Sequence, residues 1–356
     1  MLALDKVVRR VGSQTHIHET SLALQAGAFN TLLGTTLAGK TTLMQLMAGL
    51  IAPSSGRLRA DGRDLTGVPV QKRNVAMVFQ QFINYPNFSV FENIASPLRV
   101  ARLADAEVRR RVLHISELLQ LTPFLERRPA ELSGGQQQRT ALARALVKDA
   151  ALVLLDEPLA NLDYKLRESL REELPRLFSG RDCTVVYATS EPGEALLLGG
   201  HTATLHEGRV TQFGPNGSVY REPVDLVTAR VFSDPPINTA RVVKAGAEMR
   251  LSESVRWPAS GPLASLADGP YLVGLRPHHV LPQRSGGEGA GVGVEGKVLI
   301  AEINGSESTV HFELDGQTWV SLSHGVHAFR VGEAARFRLD VSRAFYFAPE
   351  GRRVAS

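Results

Sequence analysis

Cysteine is almost missing from this chain of 356 residues: there is one, Cys183. An internal disulfide is excluded, which points to a reducing compartment. The apolar neighbours of Cys183 suit a small core residue better than a nucleophile. Tryptophan is scarce, with two, and aromatic residues make up only 6%. The carboxy-terminal part shows no interleaving of basic and aromatic side chains, so a nucleic-acid partner is not expected. No run of about 18 apolar residues occurs, which argues against a membrane-crossing helix. The amino terminus carries Asp5, Lys6, Arg9 and Arg10 and does not read as a leader peptide. Charge of one sign is not in excess: 40 basic residues face 36 acidic ones, a net charge of +4. Such a mixed surface tolerates nucleotides or an acidic membrane face without requiring a polyanion.

What is present falls into two textures. Up to residue 232, short apolar strands alternate with helix-period segments. Strands are expected at Phe29 to Leu33, Val75 to Phe79, Ala151 to Leu155 and Thr184 to Ala188. Leu43, Leu46, Met47 and Leu50 recur at helical spacing, as do Val108, Val112, Ile115 and Leu119. This is the βα alternation of a wound, largely parallel α/β sheet. The texture changes at Ser233-Asp234-Pro235-Pro236. Strands of period two then follow between glycine-rich turns, at Gly296 to Ile303, Ser308 to Leu314, Thr318 to Leu322 and Ala335 to Val341, with a loose loop at Gly286 to Gly293. Residues 236–356 are expected to form a small β-rich, OB-like barrel, with Phe345, Tyr346 and Phe347 in its core or at a dimer contact.

Gly34, Thr35, Thr36, Leu37, Ala38, Gly39, Lys40 and Thr41 read G-T-T-L-A-G-K-T, followed by Thr42. A strand precedes them and an amphipathic helix follows. In that setting successive backbone N–H groups wrap phosphates and the helix start faces the negative charge. Lys40 would reach the β- and γ-phosphates of ATP, and the Thr41 hydroxyl would hold Mg²⁺. The second metal contact belongs at another strand end, where Asp156 closes A-L-V-L-L-D. Glu157, one residue on, is placed to polarise the attacking water. Leu132, Ser133, Gly134, Gly135 and Gln136 read L-S-G-G-Q at a helix start, a second anion site. The first cradle is already complete, so this one is expected to serve the nucleotide of another chain.

The order of G-T-T-L-A-G-K-T, Gln80 in V-F-Q-Q, L-S-G-G-Q, L-L-D-E-P and N-L-D at Asn161 to Asp163 resembles the ATP-binding subunit of an ABC transporter over residues 1–232. Gly274-Leu275-Arg276-Pro277 with His278-His279 is similar to the regulatory domain of the sugar and polyol importers (maltose, glycerol-3-phosphate, glycerol). Phe82 to Pro86 and Val90 to Ile94 look most like glycerol importers. The resemblance implies an ABC-type P-loop domain followed by an OB-like regulatory and dimerisation domain. It implies a peripheral position on the cytoplasmic face of the inner membrane and import of a small polyol or sugar. The implied partners are a second ATPase subunit, two permease subunits and, indirectly, an external solute-binding protein. Gln80 would contact the metal and couple it to the permeases, Phe82 to Phe91 would receive the permease, and Asp163 would lie at the dimer seam.

Three departures fall on one side of the nucleotide site. The strand Val185 to Glu191 reads V-V-Y-A-T-S-E, with Ser190 where the family has a histidine beside the γ-phosphate. A hydrogen bond to a charged group contributes about 1.5–3 kcal/mol, so its loss in the transition state slows hydrolysis roughly ten- to a hundredfold. Val11 stands where an aromatic usually stacks on adenine, and Leu37 where glycine is usual. L-S-G-G-Q and Glu157 are intact. A pair with a different, related ATPase chain is therefore expected over a pair of identical chains. Two alternatives remain open: an ABC-type ATPase without a membrane partner, and a nucleotide-binding half that barely hydrolyses. His16 and His18 share a strand face without a third ligand and read as surface residues. Arg109, Arg110 and Arg111 read as a solvated helix face.

Overall fold

The structure is a computed structural model and describes residues 2–160, 162–180, 183–283 and 291–355. Asn161 and most of the Gly286 to Gly293 loop lie outside the described residues. The chain divides into two compact units, Met1–Gly217 and Ser218–Ser356.

In the first unit, β1 (Leu2–Val11), β2 (Gln14–Ala23), β4 (Ser55–Ala60) and β5 (Arg63–Asp64) make an antiparallel sheet in the order β2-β1-β4-β5. The larger sheet runs β10-β9-β3-β8-β7-β6. Its strands are β3 (Phe29–Gly34), β6 (Val75–Val78), β7 (Leu152–Asp156), β8 (Thr184–Thr189), β9 (His201–His206) and β10 (Arg209–Pro215). All pair in parallel except β10, the hairpin partner of β9. The helices are α1 (Lys40–Ala48), α2 (Val90–Val100), α3 (Asp105–Leu118), α4 (Gly134–Leu146), α5 (Tyr164–Phe178) and α6 (Pro192–Leu198).

The apolar runs of β7 and β8 follow from burial on both faces. Val153, Leu155, Val185 and Tyr187 point into a core shared with Ile94, Leu142 and Leu170 of the helices. Leu154, Val186 and Ala188 point into the opposite core, with Leu43 and Met47 of α1 and Leu4 and Ile17 of the antiparallel sheet. Parallel strands of this kind bring their carboxyl ends to one edge, where Gly34, Asp156 and Thr189 finish. Cys183 is buried in the first core, as its composition suggested. On α3, Arg110 and Arg111 both pair with Glu107, and Arg111 also with Asp149.

The second unit is all antiparallel strand apart from short helical turns. β11 (Asn238–Ala245), β12 (Glu248–Arg250), β13 (Arg256–Pro258), β14 (Gly269–Leu275), β20 (Phe345–Phe347) and β21 (Arg353–Ala355) form one sheet. β15 (Val280–Pro282), β16 (Val292–Asn304), β17 (Glu307–Leu314), β18 (Gln317–His324) and β19 (Ala334–Leu339) form the other. Their inner faces meet over Met249, Trp257, Val273, Phe312, Trp319 and Phe337. The Phe345-Tyr346-Phe347 triplet is buried as a strand and faces two ways. Tyr346 enters this core and accepts a hydrogen bond from the Trp257 indole at 2.8 Å. Burial pushes its phenol up to about 12. Phe345 and Phe347 pack instead on Leu226, Ala229 and Ile237. The helical turn Leu226–Val231 therefore belongs with the β-rich unit, and the division falls at Gly217, earlier than the expected break after 232. A backbone bond from Arg353 to Val224 O, 3.0 Å, completes that attachment.

Candidate functional site

Gly39 opens α1 with φ 102, a backbone that L side chains rarely adopt. A Cβ there would also stand 2.9 Å from Ile17 Cδ1 of β2. No side chain caps this helix start, so its first amides keep their donors for an anion. Lys40 is 5% exposed. Its Nζ lies 2.7 Å from Gly34 O, 3.1 Å from Thr35 O and 3.2 Å from Glu157 Oε1. The Thr41 hydroxyl donates to Asp156 Oδ2 at 2.7 Å, and the Gln80 amide to Glu157 Oε2 at 3.0 Å. Five predicted side chains from two strand ends and one helix are thus brought together. Burial pushes the Asp156 carboxyl up from its ordinary value, against the pull of the Thr41 hydroxyl; Glu157 adds to the rise and Lys40 opposes it.

The cleft beside this group has a volume of about 550 Å³. Thr36 to Thr42, Gln80 and Glu157 line one part, and Thr15, His16, His18, Glu207 and Gly208 the rest. Val11, at the end of β1 and half-exposed, is not part of the lining. The two histidines, read from sequence as plain surface, line the cleft instead. Their alternation with the buried Ile17 places both on one face of β2, and the amide of His18 donates to Gly208 O at 2.9 Å. That alternation was the available signal; its proximity to the phosphate loop was not. Leu37 takes φ 67 with its side chain 95% exposed, the left-handed conformation that glycine would adopt freely.

Magnesium suits the donors here. A hydroxyl and a carboxylate, 2.7 Å apart, are hard oxygen ligands of the kind Mg²⁺ takes alongside phosphates and water. Among the described residues no cluster of three or more His, Cys, Asp or Glu could hold a metal without such help.

The L-S-G-G-Q segment lies at the start of α4. Leu132 is buried and anchors it, while Ser133 and Gly134 are exposed. Ser133 Oγ accepts from Gln136 N at 3.4 Å, and Gln136 Oε1 accepts from Ser133 N at 2.9 Å, a reciprocal capping box. Gly135 is half-buried behind them. Farther along α4, the buried Gln138 donates from Nε2 to Pro158 O at 2.7 Å, next to Glu157. Asp163 is exposed and caps α5, accepting from Leu166 N at 3.0 Å. Ser190 is exposed at the end of β8. In the Phe82 to Phe91 stretch, Ile83, Tyr85 and Phe88 are exposed apolar side chains. Asn93 fixes their loop by bonding the backbone of Tyr85 and Phe88.

A strand–loop–helix phosphate cradle with an Asp-Glu strand end and a separate Ser-Gly-Gly helix start defines an ABC-type transporter ATPase. Known proteins agree with this class. The family model described as ABC transporter matches residues 17–160, and the one described as TOBE domain matches residues 273–347. The chain is 33% identical to the sn-glycerol-3-phosphate import ATP-binding protein UgpC of Ruegeria pomeroyi, over 99% of both chains. It is 34% identical to the spermidine/putrescine import ATP-binding protein PotA of Aggregatibacter actinomycetemcomitans, over 89% of this chain and 87% of that one. Among solved structures, the dimeric post-hydrolysis ATP-binding cassette MJ0796 bound to ADP and Pi is 27% identical with a TM-score of 0.56, covering 61% of this chain and 99% of that one. The chain belongs to the ATP-binding subunits of ABC importers, in the sugar and polyol branch whose ATPase domain is followed by a β-rich OB-like domain.

Proposed function

We propose that this chain binds and hydrolyses Mg·ATP to energise import of a small polyol or sugar, glycerol or its phosphate ester first, through two membrane permease subunits. The observation that carries the reading is the convergence of Lys40, Thr41, Gln80, Asp156 and Glu157 within hydrogen-bond reach of one another. In this reading the open amides of Gly34 to Thr42 and Lys40 hold the phosphates. Thr41, Asp156 and Gln80 hold the metal, which neutralises charge on the phosphates when bound. Glu157 accepts a proton from the attacking water. His16 and His18 face the nucleoside, with Val11 contributing little. Ser133 to Gln136 close over a neighbouring chain's triphosphate, with Asp163 at the seam. No described helix is long and apolar enough to cross a membrane, which suits a peripheral subunit held on the cytoplasmic face through Ile83, Tyr85 and Phe88.

Leu37 in the left-handed region, together with Ser190 and Val11, favours pairing with a related ATPase whose own cradle is complete. The same features favour a second reading, a nucleotide-binding half that turns over slowly. Purification of the membrane complex through this chain, followed by mass spectrometry, identifies the partner: two different ATPase chains are expected, and a single ATPase species overturns the mixed pair. Uptake of labelled glycerol, sn-glycerol-3-phosphate and spermidine into vesicles holding that complex tests the substrate. ATP-dependent uptake of spermidine alone would reject the polyol assignment. Glu157→Gln separates the two readings of the site, since a catalytic Glu157 predicts loss of residual turnover and accumulation of an ATP-bound dimer.

A further inference from the structure

The strand end carrying Ser190 is tied down by charge. Glu194 of α6 is 5% exposed. Its carboxylate accepts the Tyr187 hydroxyl at 3.0 Å, the Thr189 hydroxyl at 2.5 Å and Arg171 Nε at 3.2 Å. The Thr189 oxygen in turn accepts from the amide of Glu191 at 3.0 Å, so Ser190 sits at the apex of a turn closed by its two neighbours. Arg171 also pairs with Glu168 at 2.5 Å and with Glu191.

Arg167 lies one turn earlier on α5 and reaches farther. Its Nη1 donates to Glu191 Oε1 at 3.1 Å and its Nη2 to Ala160 O at 2.9 Å. Ala160 is bonded through its own amide to Glu157 O at 3.3 Å, and the amide of Glu157 to Ala188 O at 3.0 Å. One guanidinium therefore grips the loop after Glu157 and the loop after Ser190. Its rigid fork suits two acceptors at once, which a lysine could not hold in the same geometry. The helix bearing it starts at Asp163, which is exposed and whose carboxylate is already engaged as the cap.

We propose that Arg167 is a positioning residue that sets the register between the loop after Glu157 and the loop after Ser190. The inference rests on reading the cleft as an ATP-hydrolysing site.

The test is a double-mutant cycle of Arg167→Ala, Glu191→Ala and the pair, measured in the membrane complex purified through this chain. The part of the turnover that Glu157→Gln abolishes in this complex is expected to fall ten- to a hundredfold in Arg167→Ala, with KM for ATP and equilibrium ATP affinity within twofold. The double variant is expected to be no worse than Arg167→Ala within twofold, and Arg167→Lys to recover only part of the loss. Three results would overturn the proposal: turnover within twofold of the parent, an equal loss of ATP affinity, or losses that multiply in the double variant. Thermal melting within about two degrees of the parent separates positioning from unfolding; a collapse of Tm alongside turnover counts against it. Failure of the underlying reading is visible separately, because Lys40→Ala would then leave ATP affinity unchanged.

Discussion

Two helix starts of this chain are read as phosphate sites, and they are finished differently. α1 begins at Gly39 with no side-chain cap and its lysine folded back over the loop. α4 begins at Ser133 with a reciprocal capping box to Gln136. The first leaves its donors for a ligand; the second satisfies part of its own need and stands exposed. On the proposed reading the first is completed by an anion gripped at close range and the second by a neighbouring chain. Leu37 and Ser190 would then change what this chain does with its own nucleotide, while α4 would serve the nucleotide of the neighbour.

Lys40→Ala against Ser133→Arg is the sharpest way to break this comparison. Removing a charged donor with several bonds to the phosphate loop is expected to weaken ATP binding by roughly a hundredfold. Ser133→Arg is expected to leave ATP affinity within threefold and to lower turnover of the complex at least as far, measured by calorimetry and phosphate release. Equal loss of affinity in both variants would mean that the two helix starts serve one nucleotide. Ser190→His comes next. Restoring a hydrogen bond to the developing charge is expected to raise turnover by roughly tenfold at unchanged ATP affinity.

Leu37→Gly gives a smaller effect. Relief of the left-handed backbone contributes about 1–2 kcal/mol, offset by about 0.4–1 kcal/mol for the added freedom of the unfolded chain. The net rise in melting temperature is expected to be a few degrees, about 2–4 °C per kcal/mol for a unit of this size. The smallest effect concerns the second unit, where both tryptophans reside and both are buried, so intrinsic fluorescence follows its unfolding alone. Burial, with His278 adjacent, lowers the His279 pKa to about 4. The ordinary value is about 6.5, so the unfolded state takes up the proton first as pH falls. Stability supplied by neutral His279 is complete above pH 6.5 and is lost between about pH 6.5 and 4. The tryptophan-detected midpoint in denaturant is expected to fall over that window in the parent and less in His279→Gln.

The strand–loop–helix at Gly34 to Thr41, the Asp156-Glu157 strand end and the helix start at L-S-G-G-Q were legible because each is made by neighbouring residues whose local geometry is fixed by type. The parallel strands were legible for a similar reason: burial on both faces leaves an unbroken apolar run. The antiparallel sheet of β1, β2 and β4 was not, because its polar, half-exposed alternation is weak at those lengths. His16 and His18 read as plain surface because their place in the cleft depends on β2 lying against Gly39 and Gly208, distant in sequence, where added side chains would collide. Leu226 to Val231 read as part of the first domain because helical periodicity continues through it, whereas its partners Phe345 and Phe347 come at the far end of the chain.

The buried amide of Gln138 gives the pair of surfaces a shared fate. It joins the helix offered to a neighbour directly to Pro158, beside this chain's own Glu157. The L-S-G-G-Q helix start and the loop that follows Glu157 are thus fastened to each other through one buried hydrogen bond. In the proposed ATPase pair, a displacement imposed on either would be felt at the other.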